Sequence, residues 1–292
     1  MSSSPRLPND RELQPEPARS SCWQQLFRGE DYRFQMGVRQ QTPGQFYAAT
    51  PNHTAILTER ARWLEDAPEE YAVLNADGNE PLEEFQELMR RWGVLSANAS
   101  DATTPAARCR ELARRCEPDF LLLRLDEQDR FRLAGGSVCF PSSWALREKM
   151  ALPVSEIHDV VPGLNSALGR QIQTFLSRLT PDISWERENW GLAADAELNR
   201  HPRRGLAGLT SPRSLAEVWL RVEYQSFVSL PKSRGILFGI RVQAHCLTEV
   251  ARDPAAAHGL VRALRTMPAA VAAYKGLALA RTRLIELLSA VV

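Results

Sequence analysis

The sequence predicts an α+β protein: an antiparallel sheet with helices on one face and a surrounding helical envelope. Two pairs of strand-like runs carry the sheet part of that reading. Residues 120–125 (FLLLRL) pair with residues 130–140, and residues 220–230 (LRVEYQSFVSL) pair with residues 236–246 (ILFGIRVQAHC). Short turns, DEQD and LPKSRG, join each pair. Strands that come as hairpins, with helical segments before, between and after them, make an antiparallel sheet rather than βαβ units.

Length and composition set the frame. The chain has 292 residues, 44% of them hydrophobic, enough for a sizeable core. A net charge of +1 gives no basic excess for nucleic acid or an acidic membrane surface. Five cysteines, an odd number, and an N-terminus without an apolar leader point to a reducing, cytoplasmic setting. No run is long and apolar enough to span a bilayer.

Residues 1–21 are rich in Ser, Pro and charge, and are expected to be disordered. Residues 22–292 are expected to form one domain, with the core at about 118–247. Between residues 45 and 66, Leu57, Ala61 and Leu64 share one helical face, and TERARWLED suits the solvated face opposite. Residues 69–74 and 82–92 continue as helices around the turn Asn75-Ala76-Asp77-Gly78, with Phe85, Leu88 and Trp92 inward. Residues 94–105 read as a polar loop, and 106–116 as a short basic helix. Gly135-Gly136 inside the second strand marks a bulge or the close approach of another group.

Residues 164–179 predict an amphipathic helix with Leu168, Ile172, Phe175, Leu176 and Leu179 inward. Pro181 stops it. In residues 185–190, WERENW, two tryptophans bracket charges. Residues 201–214 read as an exposed loop. Pro254 to Leu264 predicts a helix that Met267-Pro268 ends. Residues 269–292 predict one long helix with Tyr274, Leu277, Leu284, Leu287 and Leu288 buried.

The chain lacks a P-loop, GxGxxG, GxSxG and HExxH. Cys109 and Cys116 lack partners at zinc spacing and are expected to have no redox role. The central stretch 139–165, CFPSSWALREKMALPVSEIHDVVPGLN, holds His158 between Pro153 and Pro162. It reads as the centre of a pocket whose walls are the flanking segments. His158 is open to two readings, a structural histidine or a metal or haem ligand. His53, His201, His245 and His258 are weaker candidates. Period-two alternation puts Arg221, Glu223 and Gln225 on one strand face, and Arg241 joins them as a polar group. These charges are either solvated at an edge or meet a ligand. Arginines facing a pocket suit carboxylates.

The stretches 139–165, 185–190, 220–243 and YKGLALAR at 274–281 together resemble the haem-dependent oxidative N-demethylase family of alpha-subunit-like proteins. The resemblance spans roughly residues 23–290. It implies a PAS-like haem-binding core. It also implies oxidation of a small secondary methylamine with dioxygen, electrons coming from separate flavin and iron–sulfur proteins. By that resemblance His158 is the axial ligand of haem b iron and Arg241 a cofactor contact. Arg221, Glu223 and Gln225 are then the catalytic candidates. Tyr224 stands where typical members carry arginine, and Gly239 and Gln243 also depart. The alternatives are a haem- or ligand-binding sensor without turnover and a structural relative without cofactor. A pocket able to hold an ammonium favours the enzyme.

Overall fold

The computed structural model describes residues 22–27, 29–96 and 102–292. The expected N-terminal tail and residues 97–101 of the polar loop lie outside the described residues. The strands are β1 (Arg39–Gln41), β2 (Ala72–Leu74), β3 (Asp119–Leu125), β4 (Phe131–Ser137), β5 (Ser184–Ala193), β6 (Trp219–Leu230) and β7 (Gly235–Cys246). The N-terminal helices are α1 (Cys22–Leu26), α2 (His53–Asp66), α3 (Pro68–Tyr71), α4 (Asn79–Arg91) and α5 (Pro105–Arg115). Next come α6 (Val154–His158) and α7 (Leu164–Ser177), then α8 (Leu247–Val250), α9 (Pro254–Thr266), α10 (Ala269–Tyr274) and α11 (Arg281–Ser289). The α+β expectation holds. Among the described residues, no helix is long and apolar enough to cross a membrane.

The strands form one antiparallel sheet in the order β1-β5-β6-β7-β3-β4-β2. Both expected hairpins are present. β5 was not expected as a strand, because its central charges hide the alternation. Its pairing with β6 over the whole strand imposes the extended form.

Register assigns the faces. Arg187 lies opposite Gln225, which lies opposite Ile240; Asn189 lies opposite Glu223, which lies opposite Val242. Opposed residues share a face in an antiparallel sheet. One face therefore carries Trp185, Arg187, Asn189, Glu223, Gln225, Phe227, Phe238, Ile240 and Val242, and is called here the open face. Phe120, Tyr224, Ser226, Gly239 and Arg241 lie on the other, the packed face.

Two hydrophobic clusters hold the sheet. In the first, α2, α4 and α5 pack on the β3–β4–β7 side, with Phe85 against Phe120 at 5.0 Å between ring centroids. In the second, Leu220 and Val222 of β6 meet Leu260, Leu264, Leu284 and Leu288. α9 starts cleanly because Asp253 accepts the N–H groups of Ala255 and Ala256 and Pro254 needs no donor.

Several local expectations are corrected. The buried stripe of α2 is Ile56, Arg60, Trp63 and Leu64, and Arg60 is fully buried rather than solvated. Its Nη1 donates to Asp119 Oδ1 at 2.5 Å and its Nε to the Ala113 carbonyl at 2.9 Å. The expected helix at 69–74 is α3 followed by β2. The expected C-terminal helix breaks at Gly276, whose φ is 69°, so Tyr274 is 50% exposed rather than buried. Leu277, Leu284 and Leu288 are buried as expected, and Leu287 partly. In the 201–214 segment His201 and Leu209 are buried rather than exposed.

The glycine pair in β4 serves both anticipated purposes. Leu122 pairs with Gly135 but Leu123 with Leu133, which leaves Ala134 as the extra residue of a bulge. A Cβ on Gly136, at φ 147°, would stand 2.2 Å from the Phe120 carbonyl oxygen. Gly136→Ala is expected to cost about 2 kcal/mol or more of folding stability. Gly208→Ala, with no atom within 4 Å of its Cβ position, is expected to be near neutral. Denaturant midpoints of the two variants check this pair.

Candidate functional site

The open face is apolar at one end and charged at the other. Phe227 and Phe238 stack at 4.7 Å, and Phe175 of α7 meets Phe227 edge-on at 5.4 Å and Trp185 at 6.0 Å. Beyond them lie Arg187, Asn189, Glu223 and Gln225, all half-buried although β6 is an interior strand. Glu223 Oε2 accepts from Asn189 Nδ2 at 3.2 Å and Gln225 Nε2 at 3.1 Å. Oε1 receives no hydrogen bond among the described residues. A Cβ on Gly191, next along this face, would meet no atom within 4 Å, so the sheet is open there.

Arg187 is the unusual group. Among the described residues its side chain makes no hydrogen bond and no ion pair, and its Nε is enclosed without an acceptor. Burial holds its pKa below the ordinary value, opposed by Glu223 and Glu188. A desolvated guanidinium without a partner is costly, and an anionic ligand would relieve it.

His158 is placed by a chain of local constraints. Asp119 accepts the N–H groups of Cys139 at 2.8 Å and Phe140 at 2.9 Å, which turns the chain out of β4. Arg132 of β4 bridges to Pro153, the N-cap of α6. His158 is the last residue of α6. Its ring has no hydrogen-bond partner among the described residues. Burial and then the nearby Arg187 charge lower its pKa, with Asp159 acting the other way. A neutral imidazole with unengaged nitrogens is the form that ligates a metal.

The remaining predicted residues fall in different surroundings. Arg221 shares the open face but is 4% exposed. Its Nη1 donates to the Glu197 carbonyl at 2.6 Å, and its Nη2 to the Leu198 carbonyl at 3.0 Å and Ser142 Oγ at 3.3 Å. No carboxylate pairs with it among the described residues. Burial brings its pKa down to about 10. The grouping of Arg241 with Arg221, Glu223 and Gln225 is corrected by the register. Arg241 opposes Tyr224 on the packed face, pairs with Glu117, and donates to the Phe46 carbonyl at 2.7 Å. Glu117 also holds His53 Nδ1 at 2.9 Å. The departures Tyr224, Gly239 and Gln243 lie on this packed face too. A Cβ on Gly239 would stand 2.5 Å from the Tyr47 hydroxyl, so Phe46 and Tyr47 account for the glycine.

Sequence reasoning missed Arg187, Asn189, Lys275, Tyr32 and Tyr274 as site residues. Lys275, after α10, donates from Nζ to the Trp190 carbonyl at 2.7 Å and lies 5.2 Å from the Trp190 ring centroid. Burial lowers its pKa to about 8, while nearby Glu223 raises it. Tyr32 lies within electrostatic reach of Arg187 and Tyr274. The only signal in the sequence was that WERENW and YKGLALAR carry charge beside aromatic rings.

A surface cleft of about 390 Å³ borders the apolar end at Phe175 and Trp185, clefts of about 510 and 400 Å³ lie away from the open face, and none of the three is lined by His158, Arg187 or Glu223. Chemically, the open face fits a planar apolar group with an anionic edge. Stacked phenylalanines stand at one end, cations without a carboxylate at ion-pair distance among the described residues at the other, and an imidazole without a hydrogen-bond partner beside them. No group of three or more His, Cys, Asp or Glu among the described residues could hold a bare metal ion.

The depressed pKa of His158 has a sign that can be tested. The folded state keeps the ring neutral at pH values where the unfolded chain protonates it, so this contribution to stability is present above about 6.5, the unfolded value, and is lost as pH falls below it through the lower folded value. The His158 imidazole proton resonance is expected to titrate below 6.5, and Arg187→Gln to move that midpoint upward. A midpoint above 6.5 contradicts the burial assigned to the ring.

Comparison with known families places the chain. The profile described as "Haem-dependent oxidative N-demethylase, alpha subunit-like" matches residues 52–285, a span that includes β2 to β7, His158, Arg187, Glu223 and Lys275. The chain belongs to the haem-dependent oxidative N-demethylase, alpha subunit-like family.

Proposed function

We propose that the protein is a haem-dependent oxidative N-demethylase acting on a small secondary methylamine. The observation that carries this reading is Arg187: a half-buried guanidinium with an enclosed, unsatisfied Nε and no carboxylate at ion-pair distance among the described residues, beside a neutral histidine without a hydrogen-bond partner and near the carboxylate of Glu223. His158 would ligate the iron of haem b and Arg187 would face a propionate. Bound haem would supply dioxygen activation, so that an N-methyl group leaves as formaldehyde and dioxygen is reduced to water. Two electrons come from the substrate and two from a donor.

The chain's own groups do the rest. Glu223 Oε1 accepts an N–H of the substrate ammonium. Asn189 and Gln225 hold Oε2 and so fix the carboxylate plane. Phe175, Phe227 and Phe238 exclude water from the apolar end. Arg221 sets the course of residues 197–198 over the sheet and acts as a positioning group. The free acceptor on Glu223 favours an enzyme over a gas sensor, whose distal side would be apolar.

Two wider readings support the same function. The strands β4-β3-β7-β6-β5, with α6 and α7 inserted before β5, suit a PAS-like core extended by β1 and β2. Residues 22–292 are read as one domain around it. The alpha-subunit wording of the family description fits electron delivery by separate flavin or iron–sulfur proteins. Arg241, fixed by Glu117, would act on haem only at second hand.

Absorption spectra of protein supplied with haem test the reading. Wild type is expected to show a Soret band, which His158→Ala shifts or weakens and Arg187→Leu weakens by lowering affinity roughly tenfold. Absence of the band in wild type would sink the haem reading. A Soret band without release of formaldehyde from dimethylamine, with a reductant present, would move the assignment to a sensor. Tyr224→Arg, on the packed face, is expected to keep the Soret band and alter turnover with the donor; loss of haem would place Tyr224 in the haem-holding shell.

A further inference from the structure

Residues 29–38 join α1 to β1 without helix or strand, yet they alternate like a strand. Tyr32, Phe34, Met36 and Val38 are half-buried, while Asp31, Arg33, Gln35 and Gly37 are exposed. The ladder they prolong stops early, because β1 pairs with β5 only as far as Glu186. From Glu30 to Met36 no backbone group bonds to another backbone group among the described residues. The segment is held instead by side chains. The Tyr32 N–H donates to Thr266 Oγ1 at 2.7 Å, and Arg262 Nε donates to Asp31 at 2.9 Å.

Its ends are built to turn. Gly29 and Gly37 have φ of 73° and 55°, and neither has an atom within 4 Å of its Cβ position. Its inward side reaches both flanks of the site. The Tyr32 ring lies 6.5 Å from Trp190, the residue that Lys275 covers. Phe34 Cε2 lies 3.9 Å from where a Cβ on Gly163 would stand, at the turn between α6 and α7. Arg187 and Glu223 are half-buried, so a ligand reaching them displaces some cover. The sheet is laddered and α7 is hydrogen-bonded throughout. The segment 29–38 is held least by its backbone, and local opening draws on such segments.

We propose that residues 29–38 form a strap that opens to admit the substrate, and that Tyr32 sets the size of amine that reaches Glu223. This rests on the amine-oxidising reading above. Tyr32 is the largest inward side chain of the strap and lies within electrostatic reach of Arg187 at the charged end of the open face. Closed, the strap would keep water from that end.

Two measurements separate the strap from the amine reading. The first is the distance distribution between nitroxide labels on Q35C and Q171C, two exposed positions on the strap and α7, in a background with Cys22 and Cys246 changed to serine. Two populations are expected, the closed one growing when dimethylamine is added. One narrow distance that dimethylamine leaves unchanged overturns the strap, whatever the protein turns over. The second is the ratio of kcat/KM for N-methylbenzylamine to that for dimethylamine in the haem-loaded protein. Tyr32→Ala is expected to raise this ratio on the order of tenfold, and Tyr32→Phe to leave it near wild type. An unchanged ratio in Tyr32→Ala overturns the role of Tyr32. No demethylation by wild type overturns the amine reading and the Tyr32 assignment together, and the label distances then decide the strap by themselves.

Discussion

The carboxylate of Asp119 accepts Arg60 from α2 and the N–H groups of Cys139 and Phe140 from the chain leaving β4. A buried carboxylate is tolerated only when its oxygens are engaged by charge and hydrogen bonds. Satisfying it fixes three parts at once. The first is the pose of α2 and, through the Ala113 carbonyl, of α5. The second is the start of β3. The third is the direction in which residues 139–158 leave the sheet. That last direction sends the chain across the open face and brings His158 within reach of Arg187. The histidine is placed by a carboxylate far from it in sequence and itself no part of the site.

The two faces of the sheet differ in how they treat their cations. On the packed face, Arg241 has Glu117, and Glu117 also holds His53 and Thr50. Charge there is matched within the protein, and the network ties the residues before α2 to β7. On the open face, Arg187 and Arg221 have no carboxylate within ion-pair distance among the described residues. Glu223 is the nearby anion, and its hydrogen bonds come from neutral amides. Around Arg187 and Arg221, where no carboxylate lies at ion-pair distance among the described residues, there is room for a charge from outside.

What the sequence showed followed how local each signal was. The β3–β4 and β6–β7 hairpins were legible because alternation and turn residues lie side by side. The bulge at Gly135-Gly136 and the stop at Met267-Pro268 were legible for the same reason. β5 was not, because its extended form comes from β6, whose pairing residues lie tens of positions later. Arg60 looked solvated, since nothing nearby in sequence announces Asp119. The face shared by Arg221, Glu223 and Gln225 was read correctly from the alternation of β6. The register of β7 against it was not readable, so Arg241 was joined to the wrong set. His158, Glu223 and Gln225 were legible as candidates from chemical type and family pattern. Arg187 was hidden within WERENW, where a solvated charge and an enclosed one read alike.

The short ladder between β1 and β5 has a consequence for the protein in concentrated solution. Among the described residues no strand pairs with the outer edge of β5 from Arg187 onward, and an unpaired edge is a template for another chain. Lys275 occupies the Trp190 carbonyl on β5, and Arg187 and Glu188 bring charge to that part of the strand. These groups thus discourage strand addition, and a molecule deprived of the Lys275 ammonium is expected to be more prone to self-association along this edge.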